Sequence, residues 1–368
     1  MHLQLDLIPS KPPADTLVVV AMSGGVDSSV AAARLVEAGY QVVGVMMRLW
    51  AEVSEGQGSE NRCCTLEATE DARRIAAQLG IPFYLINVEQ IFKQRVVDYF
   101  IQGYLQGLTP NPCLVCNRTI RFDHLLNYAR ALGADYLATG HYARVRATPR
   151  GFELLRGRDP DKDQSYVLSV VNQDVLQHLT FPVGDLTKAE VRELARRYGL
   201  DVASKPESMD LCFLADGDYR RFLRDWAQNG IRPGPIVDTQ GHVLGEHKGV
   251  PFYTIGQRKG LNLPTPKKMY VVATDVATNT VVVGTADELG RDHLIAGEVN
   301  WINRVPSEPI SCTVKIRYRS QDRPALVTPL TSTRVRVEFR ERLRDITPGQ
   351  AAVFYQGERC LGGGIIER

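Results

Sequence analysis

The strongest constraint on the fold of this chain is a short segment, Ser23-Gly24-Gly25-Val26-Asp27-Ser28-Ser29, placed between an apolar run and a helical pattern. The run before it, Thr16 to Met22 (TLVVVAM), is apolar along its length, as expected of a strand covered on both faces. The stretch after it, VAAARLVEAGY, has helical spacing and is closed by Gly39. The alternation continues. QVVGVMM reads as a strand, residues 65–79 as a helix ending at Gly80, and PFYLINV as a third strand. Helices are expected over 89–105 and 119–132, and DYLATGH is a fourth strand followed by a turn. This order predicts an α/β fold with a parallel, doubly wound sheet.

A strand–Gly-Gly–helix turn has a specific chemical use. Gly24 and Gly25 reach backbone angles closed to other residues, so their N–H groups can face an anion. The helix that follows offers its positive end, and Ser23, Ser28 and Ser29 add hydroxyls. The segment suits a phosphate chain. It lacks the Gly-Lys-Ser/Thr of a Walker A loop, so transfer of a terminal phosphate is not the natural reading, and it is not GxGxxG. The alternative is a purely structural turn.

After the fourth strand the pattern changes. ARVRATPRGFELLRG reads as a hairpin around Pro149-Arg150-Gly151. YVLSVVNQDVLQHL and TKAEVRELARRYGL read as helices, and SKPESMDLCFLADGD as a loop. From about Gly230, Pro, Gly and short alternating strands dominate: MYVVATDV, TVVVGT, CTVKIRYR, TRVRVEF and AAVFYQ. These predict small β units, with a barrel or sandwich at the end. A chain of 368 residues is long enough for two or three domains.

The net charge of +2 does not announce a nucleic-acid binder, but its distribution is uneven. Between Cys312 and Arg344 there are nine Lys/Arg against three Asp/Glu. Such a patch attracts a polyanion, or else is an exposed strand face edged with arginine. Seven cysteines do not resemble a secreted disulfide framework. The N-terminal MHLQLDLIPSKPP has no signal-peptide pattern, and no window approaches the ~20 apolar residues of a membrane span. A reducing, cytoplasmic location with no membrane partner is expected.

Two cysteines stand out. Thr109-Pro110-Asn111-Pro112-Cys113-Leu114-Val115-Cys116-Asn117 precedes the helical pattern IRFDHLLNYARAL. Its prolines disfavour helix before it, so Cys116 falls just before or in the first turn. The positive end there, with Arg118 and Arg121, favours a thiolate. A structural zinc site is the alternative, although one CxxC supplies two ligands only. Cys212 lies in the non-periodic stretch, where a loop can carry a thiol between a donor and a buried site. Paired with Cys116 it suggests a sulfur relay. Cys312 and Cys360 flank strands and read as inert buried thiols; Cys63 and Cys64 have no assigned role.

The heptapeptide matches the SGGxDS signature of ATP pyrophosphatase-like enzymes. With AMSGGVDSS, VMMRLW, TPNPCLVCN, IRFDHLL, ATGHYAR, KDQSYVL, KPESMDLCF, YTIGQRKGL, KIRYR and ITPGQAAVFY, the chain resembles bacterial tRNA-specific 2-thiouridylases of the PP-loop superfamily along nearly its whole length. The resemblance implies an adenine nucleotide hydrolase-like, ATP-binding catalytic domain over 1–217. It further implies a small central domain over 218–288 and a tRNA-binding C-terminal β-barrel over 289–368. It implies ATP held by Ala21, Met22, Ser23, Gly24, Gly25, Val26, Asp27 and Ser28, with Met47 and Gly140 near the adenosine and Asp27 helping to hold Mg²⁺. Asn111, Pro112 and Cys113 would face the target base, Cys116 would be the nucleophile, and Cys212 would carry a persulfide. Lys162, Asp163, Gln164, Arg317 and Tyr318 would contact tRNA, with His141 and Gln350 near it. The implied reaction adenylates the C2 oxygen of the wobble uridine and replaces it with sulfur, leaving 2-thiouridine, AMP, pyrophosphate and a Cys116–Cys212 disulfide. The sulfur would come through a sulfurtransferase or cysteine desulfurase relay.

Some members carry Asp at the position of Cys113, so its role does not transfer. One alternative is an iron–sulfur cluster shared by Cys113, Cys116 and Cys212 that delivers sulfide. An AMP-forming small-molecule ligase and a non-enzymatic RNA-binding protein are the remaining alternatives.

Overall fold

The computed structural model describes residues 11–52, 66–206, 211–227 and 230–368. Cys63 and Cys64, the first residue expected of the second helix, and residues 207–210 of the Cys212 loop lie outside these ranges. The chain forms two compact units. Unit 1 comprises Met1–Arg95, Cys113–Gly217 and Gly357–Leu361, and unit 2 comprises Val96–Pro112, Asp218–Gln356 and Gly362–Arg368.

Unit 1 is built on five parallel strands: β1 (Leu17–Met22), β2 (Gln41–Arg48), β3 (Phe83–Asn87), β4 (Tyr136–Thr139) and β7 (Leu179–Thr180). They lie in the order β3-β2-β1-β4-β7. Val18, Val19 and Val20 have no exposed surface, because β1 is central and both faces are covered. Helices α1 (Val26–Glu37) and α2 (Leu66–Gln78) follow β1 and β2. From β1 the chain order runs to β2 on one side and β4 on the other. The ends of β1 and β4 therefore form the switch point where doubly wound sheets bind ligands.

The expected hairpin is β5 (Ala143–Thr148) and β6 (Gly151–Arg156), with Gly151 at φ 109 in the turn. The single helix expected over YVLSVVNQDVLQHL is two short turns, Ser165–Leu168 and Gln173–Leu176. Asn172 accounts for the break. Its side chain accepts from the Val175 N–H and so starts a new helix. The helix Lys188–Arg197 begins in a capping box between Thr187 and Glu190.

Unit 2 holds two sheets. One has β10 (Tyr270–Asp275), β11 (Thr280–Gly284), β8 (Gly234–Val237) and β9 (Val243–His247) in that order, around Ile236, Val250, Leu261, Val271, Val281 and Val283. The other is a closed six-stranded antiparallel barrel of β12 (Arg291–Trp301), β13 (Ile310–Lys315), β14 (Arg323–Thr331), β15 (Arg334–Leu343), β16 (Ala351–Gln356) and β17 (Arg359–Ile366). The order is β12-β15-β14-β13-β16-β17, closed by pairing of β12 with β17. Strand β15 shows why it forms: Val335, Val337 and Phe339 point inward while Arg334 and Arg336 point out.

Candidate active site

The phosphate loop follows β1. Gly24 has φ +68, and a Cβ there would stand 2.3 Å from the Ala68 carbonyl oxygen, so only glycine fits. Gly25 is the N-cap of α1 and brings no side-chain cap, leaving the first helical N–H groups for an anion. Ser28 and Ser29 play a different part from that expected. The Ser28 hydroxyl donates to the Gly25 carbonyl (3.2 Å) and accepts from the Ser23 N–H (3.2 Å). That of Ser29 also donates to Gly25 (2.8 Å). Both are buried and shape the loop; Ser23 is the exposed serine.

Asp27, in the first turn of α1, has two partners that the sequence did not reveal. Lys188 Nζ lies 2.7 and 2.8 Å from its two carboxylate oxygens, and the Tyr142 hydroxyl donates to Oδ1 at 2.8 Å. The same ammonium lies 5.8 Å from the centre of the Tyr142 ring. Lys188 is held in place by its surroundings. Its N–H donates to Asp159 (2.9 Å), and Arg158 pairs with Glu190 two residues along (2.7 Å). Arg34 of α1, itself buried, pairs with Asp185 (2.7 Å) and donates to the Pro182 carbonyl. A cation is thus fixed beside the uncapped end of α1.

Lys162, Asp163 and Gln164 form a support for Tyr142. Asp163 is 5% exposed. It accepts from the N–H groups of Gly157 and Ser165, the Ser165 hydroxyl and Arg156. Gln164 brackets Tyr142, accepting from its N–H at 3.0 Å and donating to its carbonyl at 2.9 Å. Lys162 and Gln164 are partly exposed, and Asp163 is buried. The expectation that all three meet RNA overlooked these internal duties.

At the end of β4, Gly140 and His141 face two ways. A Cβ on Gly140 would lie 2.7 Å from the Ser28 nitrogen and 2.8 Å from the Asp27 carbonyl carbon, so the missing side chain is what lets α1 start so close. His141 Nε2 lies 2.9 Å from Arg121, which can only donate, so Nε2 accepts. Its Nδ1 proton then goes to the Thr139 hydroxyl at 2.7 Å. Burial and the Arg121 charge hold this imidazole neutral, with its pKa well below 6.5.

Arg121 ties β4 to the cysteine-bearing helix. Helix begins at Pro112, earlier than expected, runs through Cys116, continues as a π-helical stretch over Asn117–Leu125, and ends at Ala131. Proline at the first helical position costs no hydrogen bond, which explains the early start. Cys116, 7% exposed, closes the first turn where the wider winding begins. The next residue, Asn117, accepts from Arg121 (3.2 Å) and donates to the Val167 carbonyl (2.9 Å).

Cys212 is partly buried, and its neighbours are anchored. Phe213 and Leu214 are buried, and the Phe213 ring meets Phe92 edge-on at 6.3 Å. Removing both side chains from the interior costs about 3–6 kcal/mol, so the expected loop swing is opposed here. Among the described residues no three His, Cys, Asp or Glu side chains gather as a metal site. Burial pushes the Cys312 thiol up to about 12, which leaves it inert at neutral pH.

In unit 2, Gln350 Nε2 donates to the Thr109 carbonyl at 2.8 Å, and the Thr109 N–H donates to Pro348. Gln350 therefore fastens the segment that leads into Asn111 and Pro112. Arg317 and Tyr318 do not lie on a strand, contrary to the alternating-face expectation. β13 stops at Lys315, and the Ser320 hydroxyl staples a turn to the Arg317 N–H (3.1 Å) and carbonyl (3.0 Å). The Arg317 guanidinium donates to the Ile255 carbonyl (3.3 Å) and to Thr347.

A family model described as a tRNA methyl transferase HUP domain matches residues 16–216. A PRC-barrel domain of the same description matches 220–285, and an aminomethyltransferase β-barrel domain matches 291–366. A tRNA-specific 2-thiouridylase of Moorella thermoacetica is 52% identical over 95% of this chain and 99% of its own. That of Carboxydothermus hydrogenoformans is 51% identical over 95% and 97%. The chain belongs to the tRNA-specific 2-thiouridylase family. Among solved structures, the NMN synthetase of Francisella tularensis aligns at 17% identity and TM-score 0.36 over 57% of this chain and 72% of its own, a likeness too slight to bear on function. Met47 lies on β2, one strand from the phosphate loop. Among the described residues no helix is long and apolar enough to cross a membrane.

Proposed function

We propose that this chain converts uridine at the wobble position of tRNA to 2-thiouridine, with ATP as activator and a cysteine persulfide as sulfur source. The observation that carries the reading is the Gly140-His141 pair. One residue abuts the phosphate turn and the next is bonded to the helix of Cys116, so nucleotide and thiol are set at one switch point.

The C2 oxygen of uridine is part of a urea-like carbonyl and leaves poorly. In the first step it attacks the α-phosphorus of ATP, forming an O–P bond while the bond to the β-phosphate oxygen breaks. The α1 N–H groups and Lys188 face the departing pyrophosphate and offset its charge. Asp27 and the loop would hold Mg²⁺ with phosphate oxygens, where the ion lowers the charge of the leaving group. The terminal sulfur of the Cys212 persulfide then attacks C2, and AMP takes the oxygen away. Attack of the Cys116 thiolate on Cys212 Sγ breaks the S–S bond, frees 2-thiouridine and leaves a Cys116–Cys212 disulfide for a thiol reductant. Cys116 can equally release hydrosulfide first, with the same balance. Helix placement beside Arg121 and Asn117 gives Cys116 a fixed direction of attack. The work belongs in the cytoplasm, where the substrate tRNA and reductant are found.

Methyl transfer, the activity in the family-model descriptions, gives the phosphate loop and the two thiols no task. The test is reconstitution with ATP, Mg²⁺, a persulfide donor and unmodified tRNA, followed by nucleoside mass analysis. The expected product is 2-thiouridine, abolished in Cys116→Ser. Pyrophosphate release that needs a small amine or acid instead of tRNA would identify a small-molecule ligase.

A further inference from the structure

We infer that the loop between His247 and β10 is a second phosphate-binding surface for the RNA, a reading that rests on the tRNA substrate proposed above. From Lys248 to Thr274 the sequence has five Lys/Arg and no Asp or Glu. Arg258, Lys259, Lys267 and Lys268 are all exposed. None has an acidic partner among the described residues. Elsewhere in unit 2 some of the arginines are neutralised: Arg334 pairs with Glu367, Arg336 with Glu338 and the partly exposed Arg221 with Asp225. The basic count that drew attention to the barrel is therefore partly cancelled, whereas that of this loop is not.

The loop has a fixed shape. The Gly256 N–H donates to the Val271 carbonyl (2.8 Å) and the Val271 N–H to Gln257 (2.9 Å), which brings its two ends together. Gln257 Nε2 donates to the Lys259 carbonyl (3.0 Å), and Thr265 Oγ1 to that of Lys267 (2.9 Å). Leu261 is buried in the small sheet's core. One basic pair leaves immediately after Gln257 and the other just before β10, so both flank the same backbone pairing. A loop already folded presents four cations without an ordering cost at binding.

Its location gives it a partner. The Thr109 hydroxyl donates to Thr254 at 3.4 Å, two residues before Asn111, and Arg317 holds the neighbouring Ile255 carbonyl. The cations thus extend from the root of the segment assigned to the target base. A phosphodiester backbone running past a flipped base meets such a surface; sequence-independent lysine and arginine contacts are what it recognises.

The test compares the full chain with a variant carrying Arg258→Gln, Lys259→Gln, Lys267→Gln and Lys268→Gln. Binding of unmodified tRNA is measured across a salt series, and thiolation is assayed in parallel. Each lost phosphate contact lowers the slope of log K against log salt by about 0.7–0.9. The expected result is a slope reduced by about two units or more, a KM for tRNA raised on the order of tenfold, and a loss that falls on KM and not on kcat. Lys259→Arg, Lys267→Arg and Lys268→Arg together should keep the parent slope, and so should Arg336→Gln, whose charge is already paired. A glutamine variant with the parent's slope and KM overturns the surface while leaving the thiolation reading in place. A parent that binds tRNA with the predicted salt dependence yet makes no 2-thiouridine overturns that reading and leaves the surface. A parent without salt-dependent tRNA binding overturns the surface outright.

Discussion

Replacing Lys188 by methionine keeps the length of the side chain and removes its charge. The ammonium lies 2.7 and 2.8 Å from the Asp27 oxygens, with the side chains 14% and 32% exposed. A fully exposed pair is worth at most about 1 kcal/mol, and breaking a buried one costs about 3–5. This partly buried pair falls between, near 1–2 kcal/mol, a loss of roughly 2–8 °C in Tm for a unit of this size. The catalytic loss is larger if Lys188 faces pyrophosphate during the reaction. A hydrogen bond to a charged group contributes about 1.5–3 kcal/mol, which is roughly 10- to 150-fold in kcat/KM. The assay is tRNA-dependent pyrophosphate release at varied ATP, with thermal unfolding of the same samples. A variant that loses stability but stays within about twofold of the parent in kcat/KM refutes the argument, since Lys188 would then only pin Asp27.

Three further outcomes are expected. Gly140→Ala puts a methyl group 2.7 Å from the Ser28 nitrogen and should raise KM for ATP on the order of tenfold by displacing the first turn of α1; an unchanged KM removes Gly140 from the nucleotide site. His141 is held neutral in the fold, while in the unfolded chain it takes up a proton below about pH 6.5, so it stabilises above that pH and this contribution is lost as pH falls, by up to about 1.4 kcal/mol per unit. His247 is depressed in the same direction, so the informative quantity is the difference from His141→Asn, whose Tm should fall less steeply on acidification; equal slopes contradict the assignment. Phe213→Ala removes the anchor beside Cys212 and should speed alkylation of that thiol on the order of tenfold or more, read by mass analysis of the labelled peptide; an unaltered rate means that Phe213 does not restrain the turn.

Much of unit 1 was legible because its signals are local. Unbroken apolar runs such as Val18 to Val20 mark buried parallel strands, and Gly24-Gly25 before a helix marks an anion turn. The site's electrostatics were not. Lys188 and Tyr142 stand 161 and 115 positions from Asp27, and no periodicity joins residues so far apart. In the sequence Lys188 reads only as one residue of the helical stretch TKAEVRELARRYGL. Asp163 enters the sequence reading only as a tRNA contact implied by the resemblance, yet its carboxylate accepts from four donors. The basic excess of the barrel stands as a count, but a count does not see that Arg334 of β15 meets Glu367, just past the end of β17, 33 positions along the chain. The alternation of CTVKIRYR predicts a strand through Arg317 and Tyr318; the Ser320 staple that ends it gives no periodic signal.

The adjacency of Gly140 and His141 has an evolutionary consequence. In the proposed reaction neighbouring positions on one strand end serve the nucleotide and the thiol, so neither pocket can be reshaped alone. A lineage adopting a different activating nucleotide, or moving its nucleophile by a turn of helix, would have to alter this dipeptide and both flanking loops in concert. Insertions that diversify other doubly wound enzymes should accordingly be found away from this strand end, toward loops that touch only one of the two chemistries.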